Sequence, residues 1–310
     1  MSHSPVSLRT SVGSVQLPSP ILTASGTSGH GDELAAYGNL AELGAVVTKS
    51  LASYAWAGNK APRVASAGAA MINSVGLAGP GVAAWREQYL PQLLERGARV
   101  VASIWGRTAE EFAVAASDLA GSGVIAVEIN ASCPNLESRS SIFAHSATAT
   151  AELVAACASA GVPRWIKLSP NTPDLVEIAG AALEAGADAL VLTNTLLGLM
   201  IDVETRRPSL GNGGGGVSGA PILPVALRAV YDCRAAFSDA PIVGVGGVAS
   251  GVDAVAMLMA GAQAVEVGTA SFANPRAAWR VQRELARWMR RHHIENINSL
   301  IGVAHGHELR

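Results

Sequence analysis

Residues 97–130, GARVVASIWGRTAEEFAVAASDLAGSGVIAVEIN, contain one complete repeat of the pattern that decides the fold. Residues 100–104 form an apolar run that predicts a buried strand. The alanine-rich residues 109–120 predict a helix, and the apolar run at residues 124–130 predicts the next strand. The Gly97-Ala98 pair before the first run is typical of a left-handed helix cap. The stretch therefore indicates a β-α-β unit of a parallel sheet.

The same unit recurs along the chain, and two more of its helices end in Gly-Ala pairs. The predicted strands are residues 21–25, 45–49, 100–104, 124–130, 165–168, 189–194, 242–245 and 264–268. The predicted helices include residues 109–120, 149–160, 174–185, 221–236, 251–259 and 275–291. Because no composition break divides the eight units, they favour a closed (β/α)8 TIM barrel over an open doubly wound sheet. We predict one α/β domain, residues 1–310, with an N-terminal β-hairpin that turns near Gly13 and a loop at the glycine run 211–216.

Composition limits the classes of function. Charged residues make up 15% of the 310 residues and the net charge is −2, so neither nucleic acid nor an anionic membrane is expected as a partner. The three cysteines, Cys133, Cys157 and Cys233, form no CxxC pair, which argues for a reducing compartment and against a metal or iron–sulfur site in this chain. Neither a secretory signal nor a membrane-spanning helix emerges, so a cytoplasmic location is predicted.

Polar residues follow the predicted strands at their carboxyl ends, where a barrel places its active site. In strand order they are Ser25, then Lys49 and Ser50, then Asn130 and Cys133, then Lys167, then Asn194 and Thr195. One lysine could be a surface group that extends into solvent. Two lysines within apolar strands at equivalent rims point instead to a site, because a buried ammonium group needs partners.

Glycines follow the last two predicted strands. Gly246-Gly247 and Gly268-Thr269 lie where barrels commonly bind phosphate through backbone N–H groups. An alternative interpretation takes residues 244–249, GVGGVA, as a dinucleotide fingerprint with Glu266 as its ribose acid. Too little chain follows to build that domain, so the phosphate site of a barrel is favoured.

Asparagines are the other recurrent rim residues. Asn73, which opens the predicted loop of residues 73–77, joins Asn130, Asn135 and Asn194. Four amides match a cyclic imide or ureide such as a pyrimidine, which presents N–H and C=O in alternation. Cys133, between two of these asparagines in a long loop, can serve as a proton acceptor if its pKa is tuned. The plain alternative is a buried cysteine in an Asn/Pro turn.

Taken together, the rim segments resemble one known family. The chain is similar over nearly its full length to class 1B dihydroorotate dehydrogenases, in their flavin-bearing catalytic subunit. The matching segments, in order, are ASGTSGHGDE (24–33), MINSVGLAGPG (71–81), EINASCPN (128–135), IKLSPN (166–171), LTNTLLG (192–198), GGVSG (215–219), GVGGV (244–248) and VGTA (267–270).

The resemblance implies FMN as cofactor, no metal, and oxidation of (S)-dihydroorotate to orotate in de novo pyrimidine (UMP) biosynthesis. Hydride would pass from carbon 6 to flavin N5 while Cys133 removes the proton from carbon 5. Substrate contacts would come from Lys49, Asn73, Ser74, Val75, Gly76, Leu77, Asn130, Asn135, Asn194 and Thr195. Cofactor contacts would come from Ser25, Lys49, Ser50, Ser103, Asn130, Lys167, Thr193 and Gly219, with Gly246, Gly247, Gly268 and Thr269 at its phosphate. The ammonium of Lys167 would stabilise the reduced, anionic flavin.

The resemblance also implies a partner. Class 1B enzymes pair with a subunit that carries FAD and a [2Fe–2S] cluster and passes electrons to NAD, as a heterotetramer around a homodimer. Three scattered cysteines cannot ligate such a cluster in this chain. The alternatives are a class 1A-like enzyme that uses fumarate, a flavin oxidoreductase of the dihydropyrimidine dehydrogenase type, and a catalytically silent barrel. Relatives of the dihydropyrimidine type have histidine where this chain has Asn135.

Three features depart from the family pattern. Ser103 stands where family members often have an asparagine that contacts the flavin. Gly79 replaces an asparagine of the substrate loop, and residues 136–143, LESRSSIF, lack the usual glycines.

Overall fold

The computed structural model describes residues 6–131 and 143–306. Its strands in chain order are β1 (Thr10–Val12), β2 (Val15–Leu17), β3 (Ile21–Thr23), β4 (Val46–Val47), β5 (Val64–Ala67), β6 (Ala70–Asn73), β7 (Val100–Ile104), β8 (Ala126–Asn130), β9 (Arg164–Leu168), β10 (Ala189–Leu192), β11 (Leu196–Gly198), β12 (Ile201–Asp202), β13 (Arg207–Pro208), β14 (Gly215–Ser218), β15 (Ile242–Val245) and β16 (Ala264–Val267).

The helices lie mainly between the parallel strands. They are α1 (Val82–Gln88), α2 (Leu90–Glu95), α3 (Ala109–Leu119), α4 (Ala147–Ala156), α5 (Leu175–Glu184), α6 (Leu223–Ala236), α7 (Gly251–Ala260), α8 (Ala270–Ala273) and α9 (Ala277–Arg291). Short 3-10 helices occupy Glu33–Ala36, Leu40–Glu42, Phe143–His145, Cys157–Ala160, Ala220–Ile222, Ile297–Leu300 and Val303–His305. No helix within the described ranges has the length and apolar character needed to cross a membrane.

Eight parallel strands close into a barrel, which confirms the predicted fold class. Their order is β3-β16-β15-β10-β9-β8-β7-β4. The two ends of this order meet, because Leu22 of β3 bridges to Ala45 just before β4 and the N–H of Gly44 donates to the carbonyl of Ile21 at 2.7 Å. All eight predicted strands are present, and β3, β4, β10 and β16 stop one or two residues earlier than predicted. Most of the polar rim residues therefore follow the strands, whereas Asn130 and Lys167 lie within them.

Alternation along the strands divides the barrel into two apolar layers. One layer, between strands and helices, includes Ile129, Ile166 and Val265. The other fills the barrel itself and includes Ala126 and Trp165. Small residues opposite one large aromatic side chain fit the narrow interior of an eight-stranded barrel. Because the side-chain period in a strand is two, the residues two positions further along also point inwards.

The predicted hairpin is present and packs onto this interior. β1 and β2 pair antiparallel, and their apolar residues belong to the layer inside the barrel. Thr10 Oγ1 donates to the carbonyl of Gln263 at 3.0 Å, just before β16 begins. Gly13 at the turn lies against Asp188 and Pro241, which immediately precede β10 and β15. The hairpin therefore covers the amino ends of the strands, and the site lies at their carboxyl ends.

A second sheet corrects two of the loop predictions. β11, β14, β6 and β5 form an antiparallel sheet in that order. Asn73 is the last residue of β6, and Gly215 and Gly216 belong to β14, although both segments are predicted as loops. A Cβ at Gly216 would overlap the side chain of Thr195, so these glycines permit a close approach of chains within a sheet. This sheet carries the substrate-loop residues to the rim of the barrel.

Candidate active site

A cavity of about 600 Å³ opens at the carboxyl ends of the barrel strands. Its volume is in the range of sites that hold small molecules and cofactors. The predicted site residues that line it are Ser25, Lys49, Ser50, Asn73, Val75, Gly76, Leu77, Asn130, Lys167, Thr193, Asn194, Thr195, Gly219, Gly246, Gly247, Gly268 and Thr269. Ser74 and Ser103 are fully buried and do not line the cavity. Cys133 and Asn135 lie outside the described residues.

The floor of the cavity carries a buried charge. Lys167 of β9 is 5% exposed, and its Nζ lies 3.0 Å from Oε2 of Glu266 and 3.4 Å from Oε2 of Glu128. Burial by itself lowers the pKa of Lys167, but the two carboxylates outweigh it and leave the pKa above its usual value. Lys167 is therefore an ammonium group throughout the physiological pH range.

Glu128 and Glu266 are the partners that a buried lysine requires, and the sequence did not single out either of them in this role. Glu128 was detectable, because it lies two residues after the inward Ala126 and two before Asn130, so alternation places it inside the barrel. Glu266 is fully buried beneath the cavity. Its position in the barrel interior removes the alternative interpretation of Glu266 as a ribose acid at a sheet edge.

The wall above Lys167 is a chain of hydroxyl and amide groups. Asn194 Nδ2 donates to Oδ1 of Asn130 at 3.2 Å, and Asn130 Nδ2 donates to Ser50 Oγ at 3.1 Å. Ser50 Oγ also lies 3.2 Å from Ser25 Oγ and 2.9 Å from Ser103 Oγ. Ser103 therefore supports Ser50 from behind, and its predicted contact with a cofactor stays a prediction. The hydrogen bond between the two amides orients both side chains.

The loop after β6 bends sharply into the cavity. Gly76 has φ 71° and Leu77 has φ 62°, a left-handed conformation that is rare for a leucine. The indole N–H of Trp56 donates to the carbonyl of Gly76 at 3.0 Å, and Asn59 Nδ2 donates to the carbonyl of Ser74 at 3.1 Å. These side chains fix the loop so that its backbone lines the wall beside Asn73.

His30 explains the glycine at position 79. Its Nε2 lies 3.2 Å from the place where a Cβ on Gly79 would stand, so the imidazole fills space that a longer side chain would need. Burial, and then the charge of Lys49, lower the pKa of His30, which keeps the ring neutral near pH 7. His30 lines the cavity, although as a lone loop histidine it is easily taken for a solvated residue.

Glycine backbone forms another part of the lining. Gly246 (φ 126°) and Gly247 (φ 78°) follow β15, and a Cβ on Gly247 would lie 2.6 Å from the backbone nitrogen of Leu223, where α6 begins. Thr269 Oγ1 donates to Ser218 Oγ at 2.8 Å, so the start of α8 is tied to β14. Backbone N–H groups near the start of a helix bind anions such as phosphate.

The described cysteines are packing groups. Cys157 and Cys233 are fully buried, and burial raises the pKa of each thiol to about 12. Within residues 6–131 and 143–306, no group of three or more His, Cys, Asp or Glu side chains could hold a metal ion.

Known proteins resemble this chain over nearly its whole length. A family model described as dihydroorotate dehydrogenase matches residues 7–289. The catalytic subunit of dihydroorotate dehydrogenase B (NAD(+)) from Geobacter sp. (strain M21) is 42% identical over 294 residues, which cover 94% of this chain and 96% of that protein. Subunits of the same name from Trichlorobacter lovleyi and Desulforudis audaxviator are 43% and 44% identical, over 95% of this chain and 97% and 96% of theirs.

Proposed function

The chain belongs to the dihydroorotate dehydrogenase family, and on that premise we propose that it oxidises (S)-dihydroorotate to orotate in de novo pyrimidine (UMP) biosynthesis. The observation that carries the proposal is the cavity, in which a buried ammonium at the floor faces three asparagine amides on the wall. A pyrimidine ring presents N–H and C=O groups, which Asn73, Asn130 and Asn194 can pair with.

The family is flavin-dependent, and the described residues fit FMN as the flavin. The glycine backbone at residues 246–247 and 268, with Thr269, would hold the phosphate. Ser50 and Asn130 would contact the flavin ring, and Lys167 would meet its pyrimidine end with a positive charge. When bound, FMN supplies the acceptor for the hydride that leaves carbon 6 of the substrate.

The remaining proton, on carbon 5, requires a base, and we assign this role to Cys133. Its position in the sequence is three residues after Asn130. The N–H of Ala144 donates to the carbonyl of Ala131, the residue after Asn130, at 3.2 Å. The thiolate of Cys133 would take the proton while the asparagines hold the ring.

The relatives point to the electron acceptor, since their names include NAD(+) and describe a catalytic subunit. We propose that this chain likewise passes electrons to NAD through a partner subunit with FAD and a [2Fe–2S] cluster. The proposed assembly is a cytoplasmic heterotetramer around a homodimer. The buried thiols of Cys157 and Cys233 are not available as cluster ligands, which supports placing the cluster on another chain.

Anaerobic reduction tests the function directly. The purified protein should be yellow, release FMN on denaturation, and lose its visible absorbance when dihydroorotate is added. Dihydrouracil, which lacks the carboxylate, should bleach it roughly 100-fold more slowly, because polar groups built for the substrate are left unpaired. Faster bleaching by dihydrouracil would favour the dihydropyrimidine type, rapid reoxidation by fumarate would favour class 1A, and a colourless protein would favour a silent scaffold.

The glycine cradle gives a second prediction. Gly247→Ala should release most of the FMN during gel filtration, because the added methyl group forces residue 247 away from α6 and misplaces its N–H. Gly213→Ala is the matched control, since Gly213 has nearly the same φ, 80°, with nothing within 4 Å of the added methyl group. The flavin-to-protein ratio measures the outcome. Equal retention in both variants would show that the cradle does not hold the cofactor.

A further inference from the structure

The charged cluster at the cavity floor has an internal arrangement that the reaction does not require by itself. In the part of the chain that the structure describes, Glu128, Lys167 and Glu266 are the only buried residues with charged side chains. They come from three strands, β8, β9 and β16, and meet inside the barrel. One cation faces two carboxyl groups, and both carboxyl groups are fully buried.

The number of protons in this cluster decides its charge. With both carboxyl groups ionised it would carry a net charge of −1 with almost no contact with water, which is costly. The two carboxyl groups flank a single ammonium group, since an oxygen of each lies within 3.4 Å of Lys167 Nζ. One ammonium group balances the charge of only one carboxylate, so an uncharged cluster needs a proton on the other carboxyl group.

Two further observations point the same way. Oε1 of Glu266 is buried and has no hydrogen-bond partner among the described residues, which suits a neutral carboxyl oxygen better than half of a carboxylate. Burial, followed by the charge of Glu128, raises the pKa of Glu266 well above its usual value, although Lys167 opposes the shift. The cluster is then one ammonium, one carboxylate and one neutral carboxyl group, with no net charge.

We propose that Glu128 and Glu266 share one proton and act as positioning residues that hold Lys167 at the cavity floor in an uncharged cluster. The consequence for the cofactor rests on the proposed function. A cluster of charge −1 below the flavin would oppose the arrival of electrons there, whereas an uncharged cluster leaves the nearby ammonium free to favour it. The shared proton thereby sets how readily the flavin is reduced.

Infrared spectroscopy of the purified protein in D₂O near neutral pH tests the proton count without using activity. The wild type should show the carbonyl stretch of one protonated carboxyl group. Glu128→Gln and Glu266→Gln should each abolish it, because the single remaining carboxyl group pairs with Lys167 as a carboxylate. Glu184→Gln, at an exposed position of α5, is the control that should keep the band. A wild type without the band would overturn the proposal, even in a protein that binds no flavin.

Redox equilibration against a reference dye tests the consequence. Each single glutamine variant keeps the cluster uncharged, so its ratio of reduced to oxidised flavin should stay within about threefold of the wild type. The double variant leaves a charge of +1 and should favour reduced flavin by at least tenfold, about 30 mV for a two-electron couple. If each single variant already showed the tenfold shift, both carboxyl groups would be ionised in the wild type and the proposal would be wrong. Should the double variant fail to fold, the single variants and the infrared band still decide.

Discussion

Cys133→Ala is expected to leave the protein yellow and to slow the bleaching of its flavin by dihydroorotate by about 10²–10⁴-fold, the usual contribution of a positioned general base. The flavin should stay bound, because none of the groups proposed to hold FMN is changed. Alanine cannot accept the proton from carbon 5, so hydride transfer to the flavin would have no base to remove that proton. Anaerobic stopped-flow measurement of the absorbance loss near neutral pH gives the rate.

Two variants accompany this experiment. Cys133→Ser should retain part of the rate, since a hydroxyl group still accepts a proton, though less readily than a thiolate. Cys157→Ala removes a thiol that burial keeps protonated, with its pKa raised to about 12, and should leave the rate per bound flavin unchanged. Near-normal bleaching by Cys133→Ala would remove Cys133 from the mechanism. An equal loss in Cys157→Ala would show that the effect is structural.

The barrel and its rim could be predicted because both follow from local patterns. The apolar run of β7 is bounded as predicted, and once the strands are parallel their carboxyl ends must converge. Lys49, Asn130 and Asn194 therefore line one cavity, as expected without any knowledge of packing. The exact ends of the strands are less predictable, because a strand continues only as far as it can pair with its neighbouring strands in the sheet.

The antiparallel sheet beside the rim could not be predicted in this way. β5 reads VASA and β14 reads GGVS, sequences with little strand propensity. Their stability comes from pairing with distant residues, such as Gly216 with Asn73, and from the close approach that a missing side chain allows. From sequence alone, a glycine can indicate either a turn or a close approach of two strands, and the neighbouring strand must be known to decide between them.

The partners of Lys167 show the same limit inside the site. Glu128 is accessible to reasoning, because it shares a strand with Asn130 and alternates with it. Glu266 is 99 residues from Lys167 along the chain, and only closure of the barrel brings the two within 3.0 Å. His30 and Gly79 likewise complement each other across two loops. Sequence reasoning therefore finds the residues of a rim more readily than the contacts between them.

Lys167→Met is expected to have the largest effect on stability. It removes the cation and leaves Glu128 and Glu266 buried face to face, a change that costs about 3–5 kcal/mol when one member of a buried ion pair is lost. We also expect weaker FMN retention and slower flavin reduction, because the positive charge at the floor is gone. Urea unfolding with an unchanged m-value measures the stability, and the flavin-to-protein ratio measures retention.

The pH dependence of this loss follows from the two carboxyl groups. Burial and the charge of Glu128 raise the pKa of Glu266, and the variant lacks Lys167, which opposes this shift, so the folded protein holds a proton that the unfolded chain releases. Stability of the variant should therefore fall as the pH rises above about 4.5, the usual pKa of a glutamate, and the deficit should shrink as the pH is lowered. If the loss of stability relative to the wild type grew towards acid pH, two buried carboxyl groups could not be its cause.

A triple variant separates the structural role of Lys167 from its chemical role. Combining Lys167→Met with Glu128→Gln and Glu266→Gln removes all three charges, and buried ionic clusters replaced by neutral side chains of similar size commonly keep their stability. The triple variant should regain most of the urea midpoint that Lys167→Met loses. It should still reduce its flavin slowly, because no ammonium lies below the site. Recovery of both properties would make Lys167 a purely structural residue, and recovery of neither would mean that the side chain's packing, not its charge, holds this part of the barrel together.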